Sequence, residues 1–297
     1  MHKSSIYLPD ELKRSVSSLA TRSGRSEADL IRQAIERLVA LSDSGPAPAP
    51  LEAEPPLPYR APALVGVGVG PGDPGLVTLR ARATLRTANR VLVIATDLRS
   101  VGRAEMVVRS VAPGANVQRV AFAIGADPAL RHASLVALAD AVTGAVDAGE
   151  LVAVAVLGDP TQWTIFPDLA DRVADARPWL TIVAEPGITS YQAAAAAAVA
   201  PLGHPGSALV VVDNVGELRR HLESNGCSVV LYKASTDASE VKAVAAHHDR
   251  RDAVVAELSG LPGQRLVPLA DTDDGPISYL ATVVFPAIRP RRDGEAR

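Results

Sequence analysis

From Leu64 onward the chain alternates short apolar runs with longer stretches of helical periodicity. This alternation limits the folds open to it more than any other feature. Residues 64–69, 91–94, 151–157, 180–183, 208–212, 228–232 and 282–285 are brief, rich in Val and Leu, and uncharged. That is the pattern of strands covered on both faces. Between them, residues 76–88, 134–149, 189–200, 215–224 and 238–248 carry helical spacing. Strand and helix in turn predict an α/β fold with a mostly parallel sheet. Aromatic residues are 3% of the chain while apolar residues are 47%, so the cores must be built from Ala, Val and Leu.

Residues 45–62, GPAPAPLEAEPPLPYRAP, favour extended polyproline conformation and read as a semi-rigid linker. The expected organisation is a head (1–44), the linker (45–62), two α/β subdomains (63–204 and 205–289) and a charged tail (290–297). Net charge is −3, so no global basic field points to nucleic acid or membrane. The amino terminus lacks the apolar core of a signal peptide, and no uncharged apolar stretch reaches the length of a membrane span. Cys227 is the single cysteine. An internal disulfide is therefore excluded, and a reducing cytoplasm is the expected location.

In the head, Lys3, Ser5 and Tyr7 alternate with Ser4, Ile6 and Leu8, a strand of period two. Pro9 opens a helix on which Leu12, Val16 and Leu19 recur. Gly24 ends it, and Ser26-x-x-Asp29 starts a second helix with Ile31, Ile35 and Leu38 on its inner face. Residues 3–41 resemble a ribbon-helix-helix module of the CopG type. The resemblance implies a dimer whose paired strands present Lys3, Ser5 and Tyr7 to DNA, with the second helix's amide end near Ser26 holding a phosphate. The head is nearly charge-balanced, so a dimerisation peg without DNA affinity is the competing reading.

The first body strand runs into Gly66-Val67-Gly68-Val69-Gly70-Pro71-Gly72-Asp73-Pro74. A dinucleotide fingerprint does not fit: counted from Gly66 its third glycine falls on Pro71, and counted from Gly68 it falls on Asp73. Two prolines also remove amides that could grip phosphate. The loop suits a cofactor without phosphates, such as S-adenosylmethionine.

Three ordered segments, GVGPGDPGLVTLRARATLRTANRVLV, VAVAVLGDPTQWTIF and VAEPGITSYQAAAAAAVAPLG, resemble the signatures of tetrapyrrole (corrin/porphyrin) methylases. The resemblance implies two α/β subdomains with S-adenosylmethionine in the cleft between them, and a homodimer. It places Pro71, Leu157, Asp159, Gln162, Thr189, Ser190, Tyr232 and Lys233 at the cofactor. Asp73 is the candidate base for a proton released after methyl transfer; capping of the following helix is its structural alternative. Arg99 and Arg103 are candidates to meet a polycarboxylate tetrapyrrole. Gly158-Asp159-Pro160-x-x-Trp163-Thr164-x-Phe166 is most similar to the precorrin-2 C(20)-methyltransferase branch, which acts in cobalamin synthesis. Departures from that pattern are Trp163, the run Tyr232-Lys233-Ala234, Ala95-Thr96-Asp97 after the second strand, and the alanines at 193–198. The segment PGITSYQA also resembles deacetylating precorrin-6A synthase.

The resemblance implies an enzyme that methylates a precorrin-like carbon. The rival is a DNA-binding regulator whose methylase-like body senses S-adenosylmethionine or a tetrapyrrole without turnover. Methylation of another substrate, such as a peptide, is a third reading. His247 and His248 lack the spacing and companions of a metal site, so no metal is expected.

Overall fold

The computed structural model describes residues 7–43, 54–123, 127–223, 227–233, 236–261, 263–278 and 280–288. Lys3, Ser5 and most of the expected ribbon strand lie outside the described residues, as do residues 44–53 of the linker and 289–297 at the carboxyl end. Residues 1–53 and 54–297 form two compact units.

In the first unit, helix α1 (Asp10–Ser23) begins just after Pro9 and ends on Gly24, whose left-handed φ of 64° lets its N–H reach Ala20 O. Helix α2 (Glu27–Asp43) starts as the Ser-x-x-Asp spacing requires. The Asp29 N–H donates to Ser26 Oγ at 3.1 Å, and the Ser26 hydroxyl donates to Asp29 Oδ2 at 2.8 Å. Leu12, Leu19 and Ile35 are each about half exposed within the single chain, so the apolar faces of the two helices are incompletely covered by one another.

The second unit contains two five-stranded sheets. Its elements in chain order are β1 (Ala63–Gly68), α3 (Leu79–Thr87), β2 (Arg90–Ala95), α4 (Arg103–Val111), β3 (Val117–Ala121), α5 (Pro128–Asp147), β4 (Leu151–Val156), α6 (Phe166–Ala176), β5 (Thr181–Glu185), α7 (Ser190–Ala198), β6 (Ala208–Val212), α8 (Val215–Leu222), β7 (Cys227–Tyr232), α9 (Ala238–His247), β8 (Val254–Glu257), β9 (Arg265–Pro268) and β10 (Thr282–Phe285).

The first sheet has the order β3-β2-β4-β1-β5, and every pairing in it is parallel. β1 and β4 are buried along their whole length, which is why their sequences are continuous apolar runs. On one face, α3 and α4 bring Leu85, Val107 and Val108 onto Val65, Val67 and Ala153. On the other, α5 and α6 bring Leu138, Val142, Leu169 and Val173 onto Leu64, Val152 and Val154. α5 is long and apolar enough by length and composition to cross a membrane. Only 28% of that apolar window is buried; Leu138, Val142 and Val146 form the face that packs on the first sheet.

The second sheet, β6-β7-β10-β8-β9, departs from the parallel expectation. Only β6 and β7 pair in parallel; β7–β10, β10–β8 and β8–β9 are antiparallel. The short β8 and β9 form a hairpin, and Pro268 is tolerated because β9 is an edge. α8 and α9 cover one face, where Leu218, Leu222, Val241 and Val244 meet Leu231, Val283 and Phe285. α7 covers the other: Tyr191 packs on Val230 and Tyr232, and Ala194 on Ala256 and Val284. The alanine run is therefore a thin spacer that lets α7 lie close to the second sheet.

Candidate functional site

In open parallel sheets, ligands collect beyond the carboxyl ends of the strands. Here the loops after β1, β4 and β5 meet there at three glycines. A β-carbon on Gly68 would lie 2.6 Å from both Gly158 O and Gly187 N, and one on Gly187 would lie 2.0 Å from Gly158 O. No side chain fits the crossing. The Gly158 N–H donates to Gly70 O at 2.8 Å, tying the first loop to the second. Asp159 ties the second to the third: Oδ1 accepts the Thr161 N–H at 2.8 Å and Oδ2 accepts the Gly187 N–H at 3.1 Å. Thr189 closes the third loop as a capping box on α7. Its Oγ1 accepts the Gln192 N–H at 3.3 Å, while Gln192 Oε1 accepts the Thr189 N–H at 2.9 Å.

Beside this crossing lies a cleft of about 850 Å³. Of the residues expected at a cofactor, Pro71, Leu157, Ser190, Tyr232 and Lys233 line it, and Gly158 joins them. Asp159, Gln162 and Thr189 are not among the lining residues and hold the lining in shape. Gln162 Oε1 accepts the Tyr191 hydroxyl at 3.1 Å, and the Tyr191 ring stands edge-on to Tyr232 at 5.8 Å. Asp73 is exposed and off the cleft wall; its Oδ1 accepts the Gly75 N–H at 2.8 Å and caps a short 3-10 turn, Pro74–Leu76. Arg103 lines the cleft and Arg99 does not.

Backbone strain gathers here. Trp163, Lys233 and Leu258 all line the cleft and have φ of 48°, 55° and 53°. Such left-handed conformations in residues with a β-carbon persist only where surroundings enforce them. Lys233 Nζ donates to Trp163 O at 2.8 Å, a bond between the second sheet and the β4 loop. Trp163 meets Tyr232 edge-on at 5.5 Å. Burial holds the Lys233 ammonium below the usual lysine range.

The cleft has two chemically different halves. Pro71, Gly158 and Ser190 follow β1, β4 and β5, on the side of the sheet away from β3, and Tyr232, Lys233 and Leu258 join the lining from the second sheet; Lys233, tied to Trp163 O, is the charged side chain among these six. Thr96, Asp97, Ser100, Arg103 and Arg131 follow β2 and β3, on the other side in strand order, and bring one carboxylate and two guanidinium groups. Arg131 pairs with Asp168 at 2.9 Å, whereas Arg103 has no ion-pair partner among the described residues. Asp97 is the carboxylate on the wall, and its Oδ1 accepts the Arg99 N–H at 2.8 Å. The first side suits a nucleoside without phosphates; the second, with two guanidinium groups, suits an anion.

Sequence reasoning missed Asp97, Phe122, Arg131, Leu258, Ser259 and Leu261 as cleft residues. Arg131 was invisible because α5 carries it in from a distant turn. The Leu258–Leu261 turn had a readable signal in Gly260 and Gly263 between two short apolar runs.

A family model described as Tetrapyrrole (Corrin/Porphyrin) Methylases matches residues 63–272, and one described as Ribbon-helix-helix protein, copG family, matches residues 5–42. The cobalamin biosynthesis protein CobIJ of Mycobacterium tuberculosis is 30% identical over 238 residues, 74% of this chain. The chain spans 45% of that relative's length. A cobalt-precorrin-2 C(20)-methyltransferase of Salmonella typhimurium is 29% identical over 221 residues, covering 72% of this chain and 92% of the relative. Among solved structures, the cobalt precorrin-4 methyltransferase CbiF aligns with a TM-score of 0.55 at 22% identity, over 75% of this chain and 93% of the other. The methyltransferase CobJ aligns at 0.53 and 22%, over 78% and 97%. Parallel first sheet, mixed second sheet, glycine-crossed loops and matched sequence agree: the chain belongs to the tetrapyrrole (corrin/porphyrin) methylases, preceded by a ribbon-helix-helix module of the copG family.

Proposed function

We propose that the chain transfers a methyl group from S-adenosylmethionine to a carbon of a precorrin-like tetrapyrrole, specifically C20 of precorrin-2, in cobalamin synthesis. The observation that carries this reading is the lining of the cleft: the glycine-crossed loops after β1, β4 and β5, and, past the ends of β2 and β3, the guanidinium groups of Arg103 and Arg131. The Salmonella relative's name, with 92% of its length matched, supports C20 over other positions.

When bound, S-adenosylmethionine supplies a methyl group already activated on a sulfonium. The protein's share is to bind, orient and exclude water. Pro71, Leu157, Gly158, Ser190, Tyr232 and Lys233 are the wall residues that would hold the cofactor, with Asp159, Gln162 and Thr189 fixing that wall from behind. Arg103 and Arg131 would hold substrate carboxylates and set the macrocycle's orientation. In this reading Asp73 keeps the first loop in shape. Asp97, the carboxylate on the wall, receives the proton that leaves the methylated carbon. Purified protein incubated with precorrin-2 and methyl-labelled cofactor should yield a macrocycle heavier by one methyl, placed at C20 by NMR.

The copG-type module favours a second reading. A regulator would bind the cofactor or a tetrapyrrole without turnover and bind operator DNA through paired ribbons presenting Lys3, Ser5 and Tyr7; Tyr7 is exposed. Tight cofactor binding with no label in the macrocycle, together with salt-sensitive DNA binding, would select it. Either reading takes the protein as a homodimer, which would cover the half-exposed Leu12, Leu19 and Ile35.

A further inference from the structure

We propose that the end of the linker, residues 54–61, is a strap that positions one loop of the cleft: through Tyr59, Thr84 and the Arg80–Glu185 pair it sets the loop carrying Gly187 and Ser190, so that filling the cleft and holding the strap favour one another. This rests on the cofactor reading above. Glu185 is 1% exposed, and no step of the proposed reaction uses it. It is the last residue of β5 and stands directly before Pro186 and Gly187. A carboxylate buried so deeply is costly unless it is paired and hydrogen-bonded.

The strap belongs to the second unit, which begins at Glu54. It is pinned to α3 at two points. Glu54 Oε1 accepts from Arg82 Nε at 2.7 Å and from Arg86 Nη1 at 3.3 Å. Further on, Leu57 and the buried Tyr59 pack in the layer of Val65, Leu85 and Val183. Burial pushes the Tyr59 phenol up to about 12, with the Glu185 charge adding to the shift, so at neutral pH it is a donor. The Thr84 hydroxyl donates to Arg80 O at 2.9 Å, and it therefore accepts from the Tyr59 hydroxyl, 2.5 Å away. Arg80 Nε donates to Glu185 Oε2 at 2.6 Å. A run of bonds thus joins the linker to the root of the third loop.

That loop depends on side-chain anchors. β5 lies at the edge of the first sheet and pairs with β1 on one side. Backbone leaving an edge strand has ladder partners on one side only, so side chains decide its direction. Glu185 anchors the root, and Asp159 anchors Gly187 by accepting its N–H at 3.1 Å. Ser190, at the far end of the loop, lines the cleft; Tyr59, Arg80 and Glu185 are not among the lining residues. Their effect on a ligand must therefore pass through the position of the loop. By linkage, a ligand that favours the set loop tightens the strap by the same factor.

The test is calorimetry of the full chain with S-adenosylhomocysteine, for wild type, Tyr59→Phe, Glu185→Gln and the double variant. Amide exchange at Leu57, Tyr59, Arg60 and Ala61 is followed with and without ligand. Val142→Ala in α5 is the control for general loss of stability. Each single variant should weaken binding about threefold to tenfold. The double variant should lose less than the two losses combined, because both residues act through one network. Ligand should slow exchange in the wild-type strap and lose that effect in Glu185→Gln, while Val142→Ala should melt lower and bind like wild type. Wild-type affinity in Tyr59→Phe, independent losses in the double variant, an equal loss in Val142→Ala, or strap exchange indifferent to ligand each overturns the inference and leaves the cofactor reading standing. Wild-type protein that does not bind S-adenosylhomocysteine overturns the cofactor reading and the inference together.

Discussion

Replacing Gly187 with alanine should damage the site out of proportion to one methyl group. The new β-carbon would stand 2.0 Å from Gly158 O and 2.9 Å from the Gly68 carbonyl carbon. A relaxed carbon–oxygen contact is about 3.3 Å, so the loops must separate by roughly 1 Å. Both obstacles are backbone, and no side chain can swing aside. The separation would stretch the Gly158–Gly70 bond, now 2.8 Å, and the Gly187–Asp159 bond, now 3.1 Å, beyond useful length. Two lost hydrogen bonds at about 1 kcal/mol each, with overpacking of about 1–3 kcal/mol, give roughly 3–5 kcal/mol of destabilisation. At about 2–4 °C per kcal/mol, the melting temperature should fall by about 10 °C. Calorimetric melting measures this directly, and titration with S-adenosylhomocysteine should show binding lost. The matched control is Gly144→Ala in α5, where a β-carbon meets nothing within 4 Å. There the helix should gain about 0.5–1 kcal/mol. A Gly187→Ala protein that melts and binds like wild type would refute the argument from the glycine crossing.

Three further outcomes follow from the cleft and the core. Arg103→Ala and Arg131→Ala should each raise the KM for a polycarboxylate tetrapyrrole several-fold and leave S-adenosylhomocysteine affinity unchanged; a matching loss of nucleoside affinity in titration would contradict the division of the cleft. Asp97→Asn should lower kcat with little change in KM, whereas Asp73→Asn should leave kcat near wild type, as steady-state assays of the two would show. Glu105 is buried, and bonds to Arg119 and then Arg109 hold its carboxyl below the usual range. Its contribution is therefore present above the unfolded-state pKa and lost as pH falls through the depressed folded value. Glu105→Gln should cost on the order of 2 kcal/mol at pH 7, and its difference from wild type in urea midpoint should shrink as pH falls through the acid range.

The elements visible in the sequence were those whose pattern did not depend on partners. Residues 64–69 and 151–157 are apolar throughout because β1 and β4 are covered on both faces, and such runs announce themselves. β3 could not be seen in the same way. Val117–Ala121 is an edge strand carrying Gln118 and Arg119, and it is extended because β2 pairs with it and Glu105 accepts its arginine. β8 and β9, each of four residues, are likewise made strands by the sheet they join. α4 and α6 are hard to see for the opposite reason: charged residues such as Glu105, Arg109, Asp168 and Arg172 mask amphipathic faces that bury Val107, Val108, Leu169 and Val173.

The site divides along similar lines. Loop motifs in Gly, Pro and Asp are local, so the resemblance to the methylase signatures is enough to put Pro71 and Leu157 at the cleft. Motif membership did not separate wall from scaffold. Asp159 and Thr189 spend their side chains on Gly187, Thr161 and Gln192, a fact that depends on how three loops cross. Arg131 and Ser259 reach the cleft from a helix and a hairpin that no motif connects to it.

The chain also carries its own optical reporter. It has two tryptophans: Trp163 in the cleft wall, edge-on to Tyr232, and the exposed Trp179, which is not among the wall residues. A coloured macrocycle seated beside Trp163 should quench ultraviolet emission by energy transfer, and a colourless nucleoside should shift its wavelength. Trp179→Phe would leave a single emitter, so occupancy of either half of the cleft could be followed in real time without a label.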